Sequence, residues 1–474
     1  MNSTLVRGGE VVTAGSRERA DVRIAGGRIT AVGPGLEPEP TEEIIDADGL
    51  MVFPGIIDCH THFQLDTGKM QTLDDFESGS ASAAAGGVTT YINFAPQQRG
   101  QSLVDAVEEE RLKAQGHTLV DFSLHLSFGT PGRDWAAELV DVVAAGVTSA
   151  KIYTTYKDTI YYTRDWDWYR LMEKSGAAGM LVMIHAENDD ILRGKTEELL
   201  AAGLKSFQHH AEARPEVAEV EAVNRGIAFS RATGSPVYFV HLSTPESVRL
   251  VVEAREKGLP ILGEVCAHHV SLDDSVYAGD DARRFVMTPP LRSAGTTAAL
   301  LEHVRGGAVD AMGSDHCGYS LAQRGSDADF TAASPGIPGV ETLLTILYTT
   351  LVGDARMPIE AAIELVTSRP ADIFGLSPRK GRIAVGADAD LVLFDPSVRG
   401  SLDETRLHSR AGYSPWQGRP IHGSVVRTVS RGVTVYAEGR PSTEYAHGRF
   451  VECQPFRWSR LGWRDRNAPL ARYA

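Results

Sequence analysis

Two histidines one residue apart, His60 and His62 in Asp58-Cys59-His60-Thr61-His62, close an apolar run that reads as a strand. On extended chain, residues two apart project to the same side, so both imidazoles can reach one cation. Other residues able to bind metal end other apolar runs. Lys151 stands in Ser149-Ala150-Lys151-Ile152, His185 follows Val182-Met183-Ile184, His241 follows Tyr238-Phe239-Val240, and Asp315 stands in Gly313-Ser314-Asp315-His316. A lone histidine after a strand is ordinarily a hydrogen-bonded structural residue, and His-x-His alone is a weak motif. Six such residues ending five or six different strands are hard to explain by structure alone. Imidazole and carboxylate together are ligands for a divalent cation, and a cation so held can acidify water. Lys151 fits that company only as a neutral amine, because an ammonium beside cations is repelled and burial lowers its pKa further.

The elements that must position these residues alternate in type. Short apolar, β-branched runs are followed by longer helical patterns. The candidate strands are Met51-Val52-Phe53 leading to Cys59, then Val88 to Phe94, Val120 to Leu126, Val147 to Tyr153, Leu181 to Ile184, Val237 to Val240, Ile261 to Val265 and Val309 to Gly313. Strand and helix in alternation predict parallel strands with right-handed crossovers. Eight such units match an α/β chain folded as a (β/α)8 barrel of TIM type, whose catalytic face is the rim where strands end. A doubly wound open sheet is the alternative. The first fifty residues read instead as short strands with a Gly26-Gly27 turn, and similar runs return at Ala389 to Phe394, Ser424 to Val429 and Gly432 to Tyr436. The expected organisation is a small β-sandwich domain from residues 1–52 with 380–450, a barrel over 53–379, and a tail over 451–474. That tail carries Arg457, Trp458, Arg460, Trp463, Arg464 and Arg466, and either docks on a neighbouring subunit or packs on its own chain.

Composition bounds the rest. The chain has 474 residues, 42% hydrophobic and 23% charged, the values of an ordinary globular protein. A formal net charge of −15 argues against nucleic acid or an anionic membrane surface as partner. Four scattered cysteines, Cys59, Cys266, Cys317 and Cys453, form no disulfide framework and fit a reducing compartment. Met1 to Arg7 holds no apolar core of signal-peptide length, and no run is long enough to cross a bilayer. The expected location is the cytoplasm.

Longer motifs join the single residues. They are Pro54-Gly55-Ile56-Ile57-Asp58-Cys59-His60-Thr61-His62, Asp74-Asp75-Phe76-Glu77-Ser78-Gly79, Ile184-His185-Ala186-Glu187-Asn188, Val240-His241-Leu242-Ser243, Pro289-Pro290-Leu291-Arg292, Ser314-Asp315-His316-Cys317, Pro338-Gly339-Val340-Glu341 and Gly386-Ala387-Asp388-Ala389-Asp390-Leu391. With them the chain resembles the cyclic amidohydrolases, specifically the dihydropyrimidinase/hydantoinase group, over nearly its whole length. The resemblance implies a distorted TIM barrel with a β-sandwich made by both chain ends. It implies that His60, His62 and Asp315 hold one metal, His185 and His241 a second, and that Lys151, carboxylated by carbon dioxide, bridges them. Family members commonly carry zinc, although these ligand types also accept manganese. The implied reaction is hydrolysis of a cyclic amide bond in a hydantoin- or dihydropyrimidine-like ring, giving an N-carbamoyl amino acid. Asp315 would serve as base and then acid. The implied assembly is a homotetramer or dimer.

Tyr156, five residues after Lys151, sets the subgroup. Hydantoinases and dihydropyrimidinases resemble this chain in having tyrosine there, with the role of donating a hydrogen bond to the oxyanion; allantoinases and dihydroorotases generally lack it. Two positions depart from the family pattern. Thr288 stands where hydantoinases usually have serine, and Pro335 where they usually have asparagine; both positions resemble substrate contacts, and Pro335 has no N–H to donate. These departures keep a cyclic imide substrate open beside the allantoinase and dihydroorotase alternatives. A non-catalytic scaffold relative is disfavoured by the complete ligand set. The aromatic loop from Tyr153 to Trp168, with Gln64 to Met70, is expected to shape the pocket. His209-His210 is expected to face solvent, His268-His269 to stand behind the ligands, and His316 and Cys317 to form pocket wall.

Overall fold

The computed structural model describes residues 3–129, 135–325 and 329–462, which build two sheets. The chain enters through β1 (Thr4–Thr13), β2 (Ser16–Ala25), β3 (Arg28–Gly33), β4 (Glu43–Asp46) and β5 (Met51–Pro54). Gly26 and Gly27 turn β2 into β3, both with positive φ (59° and 78°), a backbone that favours glycine. Eight strands then form a second sheet in sequence order: β6 (Ile56–Thr61), β7 (Val88–Pro96), β8 (Asp121–Ser127), β9 (Ser149–Tyr153), β10 (Leu181–His185), β11 (Val237–Phe239), β12 (Ile261–Cys266) and β13 (Ala311–Gly313). The chain returns to the first sheet with β14 (Leu391–Ser401), β15 (Pro420–Ser430), β16 (Val433–Ala437) and β17 (Arg440–Pro441).

The eight central strands pair in parallel and are almost wholly buried, as strands covered on both faces must be. Their inward side chains, among them Ile57, Ile92, Leu181, Met183, Leu262 and Ala311, fill the barrel interior. Their outward side chains pack with the surrounding helices in one large apolar core. The first and last strands meet through side chains and loop backbone. His62 N–H donates to the His316 carbonyl at 2.8 Å, and Ser314 N–H to Asp58 Oδ1 at 3.1 Å. The fold is thus a distorted TIM barrel, and both chain ends contribute to the adjoining nine-stranded sheet.

One apolar run serves both sheets. Met51–Pro54 pairs with β1 and β14 in the chain-end sheet, whereas Ile56–Thr61 opens the barrel; the run from Met51 to Cys59 is therefore two strands. Gly55 is the joint. Its N–H donates to the Asp390 carbonyl at 2.8 Å, and a Cβ there would lie 2.0 Å from Thr89 Oγ1. Below it, at the mouth where strands begin, buried Lys380 joins Asp121 (2.6 Å), Asp390 (2.7 Å) and Asp388 (3.1 Å), and Arg431 also reaches Asp121 at 3.0 Å. This network ties barrel to chain-end sheet. The described part of the tail packs on its own chain: Phe456 N–H donates to Gly179 and Cys453 N–H to Gly146. Trp463, Arg464 and Arg466 lie outside the described residues.

Candidate metal centre

The six residues read from the sequence as metal-ligand candidates lie at the strand-end rim, and they converge. His60 lies near the end of β6 and His62 one residue past it, Lys151 lies in β9, and His185 ends β10. His241 stands two residues past β11, and Asp315 two past β13. Asp315 Oδ1 lies 3.1 Å from His60 Nε2 and 3.2 Å from His62 Nε2, and Lys151 Nζ lies 2.7 Å from His60 Nε2. Donor atoms of His60, His241 and Asp315 fall within 4.8 Å of one another. The His241 ring stacks on His60 at 5.5 Å and meets His185 edge-on at 4.6 Å. Three residues here hold left-handed backbone without being glycine: His241 (φ 39°), Asp315 (φ 51°) and Tyr156 (φ 70°). Such strain is kept where the surroundings fix a side chain for a task.

The donor set fits a pair of cations. Burial, followed by the charges of Lys151 and neighbouring rings, pushes the His60 and His241 imidazoles well below their usual pKa, so both stay neutral and keep a lone pair. Burial works to raise the Asp315 carboxyl, but His60, His62 and Lys151 outweigh it and hold Asp315 ionised. Burial also lowers Lys151 to about 8, with Asp315 and Glu264 only partly opposing. Outer carboxylates orient two rings. His60 Nδ1 lies 2.8 Å from Glu264 Oε1, leaving Nε2 for a metal; His185 Nε2 lies 2.7 Å from Glu187, leaving Nδ1. Nδ1 of His62 and of His241 are buried without a partner. Two cations would satisfy this group of lone pairs better than hydrogen bonds among themselves do.

The centre forms the floor of a cavity of about 380 Å³. Tyr156 and Thr288 line it side by side, hydroxyl to hydroxyl at 2.7 Å, and Pro335 also lines it. The Gly336 N–H beside Pro335 is already donated to the Val286 carbonyl (2.9 Å), so this segment offers a carbonyl rather than an N–H. Leu65, Tyr161, Cys317, Tyr319 and Phe330 give the cavity an apolar wall, and the Tyr161 hydroxyl donates to the Asp66 carbonyl at 3.2 Å across the mouth. The aromatic loop thus divides. Tyr153, Tyr156 and Tyr161 line the cavity, Trp168 is core, and Trp166 is 64% exposed and away from it.

Two expectations change. His210 does not face solvent: it lines the cavity and its Nε2 bonds the Met287 carbonyl at 2.7 Å. His316 stands behind the wall, with Nε2 3.1 Å from Asp74 and Nδ1 accepting from Gly339 and Val340 N–H. Sequence reasoning missed Glu264, Glu187 and Arg214. Arg214 pairs with Glu187, stacks 5.9 Å from Tyr156 and lines the cavity. The signal for Glu264 was present, a carboxylate inside the apolar run Ile261-Leu262-Gly263-Glu264-Val265.

Known proteins resemble this chain over most of its length. The amidohydrolase family model matches residues 51–435. The chain is 35% identical over 458 residues to the D-phenylhydantoinase of Escherichia coli K12, covering 95% of this chain and 98% of that one. Among solved structures it is similar to a dihydropyrimidinase from Brevibacillus agri (TM-score 0.93, 34% identity, 96% and 99% of the two chains). It is also similar to a D-hydantoinase from Bacillus sp. AR9 (TM-score 0.92, 36% identity, 96% and 100%).

Proposed function

The chain belongs to the amidohydrolase family, in its hydantoinase and dihydropyrimidinase group, and from that premise we propose how this cyclic amidohydrolase works and on what. The substrate is a hydantoin- or dihydropyrimidine-like ring, opened to an N-carbamoyl amino acid. The apolar wall of Leu65, Tyr161, Tyr319 and Phe330 supports an aryl or alkyl substituent on that ring. His60, His62 and Asp315 would hold one zinc ion, His185 and His241 the other, with Lys151 between them as a carbamate. That carbamate forms when neutral Nζ adds carbon dioxide and loses a proton. The single observation carrying this reading is the convergence, at one rim of the barrel beside the cavity, of six side chains able to bind metal, drawn from five strands.

When bound, the cations supply a hydroxide nucleophile near neutral pH and polarise the scissile carbonyl. The chain's own residues do the rest. Burial raises the Tyr156 phenol to about 12, so it remains a hydrogen-bond donor to the developing oxyanion, oriented by Thr288. Asp315 takes the proton released during attack and returns it to the ring nitrogen as the C–N bond breaks. The Pro335 carbonyl accepts from a ring N–H. Arg214, stacked near Tyr156 and paired with Glu187, fixes both the phenol and the His185 ring.

The test is an assay of chelated and zinc-reloaded protein against hydantoin, 5-phenylhydantoin, dihydrouracil, allantoin, dihydroorotate and succinimide. Turnover of the first three should vanish on chelation and return with zinc. Turnover indifferent to chelation would overturn the metal assignment, and opening of succinimide or allantoin alone would move the substrate to those rings. We also propose a homo-oligomer, a homotetramer or dimer, in the cytoplasm. Leu112, Val140 and Trp166 support assembly, being apolar and exposed on neighbouring barrel helices. Light scattering would decide the number of chains. Among the described residues no helix is long and apolar enough to cross a membrane.

A further inference from the structure

A second group of donor atoms lies at the end of β12, outside the six ligands. Cys266 Sγ and one ring nitrogen each of His268 and His269 fall within 4.8 Å of one another. All three side chains are buried, His268 to 1% exposure and His269 to 2%. Neither nitrogen of His268 has a hydrogen-bond partner, and neither does Nδ1 of His269. A buried imidazole with both nitrogens unsatisfied is rare in a folded protein, and here it faces a thiol and a second imidazole. The two rings lie 4.2 Å apart, and the thiol lies 3.7 Å from Glu264 Oε1.

We propose that Cys266, His268 and His269 form a third metal site that takes a zinc-class cation. One thiolate with two imidazoles is a zinc-type donor set, whereas the six ligands of the paired centre include no cysteine. On binding, the Cys266 thiol releases its proton and a sulfur–metal bond takes its place; both histidines ligate as neutral rings. His269 already carries the outer hydrogen bond that a ligating histidine needs. Its Nε2 meets the Pro289 carbonyl at 3.0 Å, which leaves Nδ1 for the cation. Pro289 follows Thr288, whose hydroxyl sets the Tyr156 phenol. A cation at this site would therefore pin the turn that orients the oxyanion donor, a positioning task rather than a catalytic one.

Apoprotein prepared by chelation and titrated with Co2+ tests the site, read by metal analysis and near-ultraviolet absorbance. Three equivalents per chain are expected, one of them with a thiolate-to-cobalt charge-transfer band. Cys266→Ser should lose the band and one equivalent and keep two, and His268→Gln should weaken the band-forming equivalent with the thiol intact. The wild-type titration stands without any variant. Two equivalents and no band would overturn the third site and leave the pair standing; one equivalent with the band would do the reverse. Three equivalents without a band, or a band surviving Cys266→Ser and so belonging to Cys317 in the cavity wall, would overturn the third site.

Discussion

Lys151 and Lys380 are both 1% exposed, and they sit at opposite mouths of the same barrel. Lys380 is enclosed by Asp121, Asp388 and Asp390; burial works to lower its pKa, but these carboxylates outweigh it and hold the ammonium charged far above the usual range. Lys151 meets the lone pair of His60 and the faces of Phe94 (4.5 Å) and Tyr153 (5.2 Å), and among the described residues no carboxylate forms an ion pair with it. Burial therefore prevails and brings it to about 8. The same side chain at the same depth is a staple at one end and, in the proposed mechanism, a reagent at the other. What differs is whether a buried charge is given its counter-charge.

The contrast breaks most visibly by removing each amine. Lys151→Ala should lose about 10³-fold or more in turnover, because the several kcal/mol that a metal pair supplies go with its bridge. Folding should change little, and a small carboxylate such as propionate should restore part of the activity by occupying the vacated bridge. Wild-type turnover in Lys151→Ala would end the comparison at once. Lys380→Met should do the opposite. Three carboxylates would be left buried without their cation, at a cost of about 3–5 kcal/mol in denaturant unfolding. Turnover and metal content per folded molecule should stay at wild-type values. A stability loss under about 1 kcal/mol would mean that Arg431 and Arg379 already suffice for these carboxylates.

The carboxylates sharpen the same contrast. Asp121 serves Lys380 directly, whereas Glu264 acts at one remove, through His60 Nδ1. Glu264→Gln keeps the shape and one acceptor oxygen, so it should weaken metal affinity by about 10–100-fold without unfolding the protein. Competition with a chelator of known affinity measures this. An unchanged affinity would make Glu264 a partner of Tyr238 alone, whose hydroxyl it accepts at 2.9 Å.

The two ends also differ in how far they were legible. The six proposed ligands could be read because they lie at or near the ends of five apolar runs, and a barrel sends strand ends to one rim. Glu264 and His60 are 204 positions apart, and their contact exists only once the barrel closes; no local pattern announces it. The same holds for Lys380 with Asp121, 259 positions apart. His210 misled because its polar neighbours suggest a solvated helix, whereas the segment is a short 3-10 turn (Phe207–His209) folded over the cavity. Met51–Pro54 misled because a run of apolar residues does not reveal which sheet will take it; the break is at Gly55, where only glycine clears Thr89.

The finest test of the contrast is proton linkage. A pKa of about 8 leaves roughly a tenth of Lys151 neutral at pH 7, against fewer than about one in a thousand for an ordinary lysine. Only the neutral amine adds carbon dioxide. Reactivation of apoprotein by zinc at fixed dissolved carbon dioxide should therefore quicken about tenfold per pH unit up to about pH 8 and then level off. The same shift has a sign in stability. The folded pKa lies below the unfolded one, so the unfolded chain binds the extra proton between about pH 8 and 10.5, and apoprotein should gain stability as pH rises through that window. Lys380 is raised instead, so its contribution is fully present in that window and is lost only above it. Comparing wild type with Lys151→Met isolates the lysine from tyrosines and cysteines that titrate nearby. A reactivation rate still climbing at pH 10, or no difference between the two proteins across the window, would mean that Lys151 is as well paired as Lys380, and the barrel would have no reactive end.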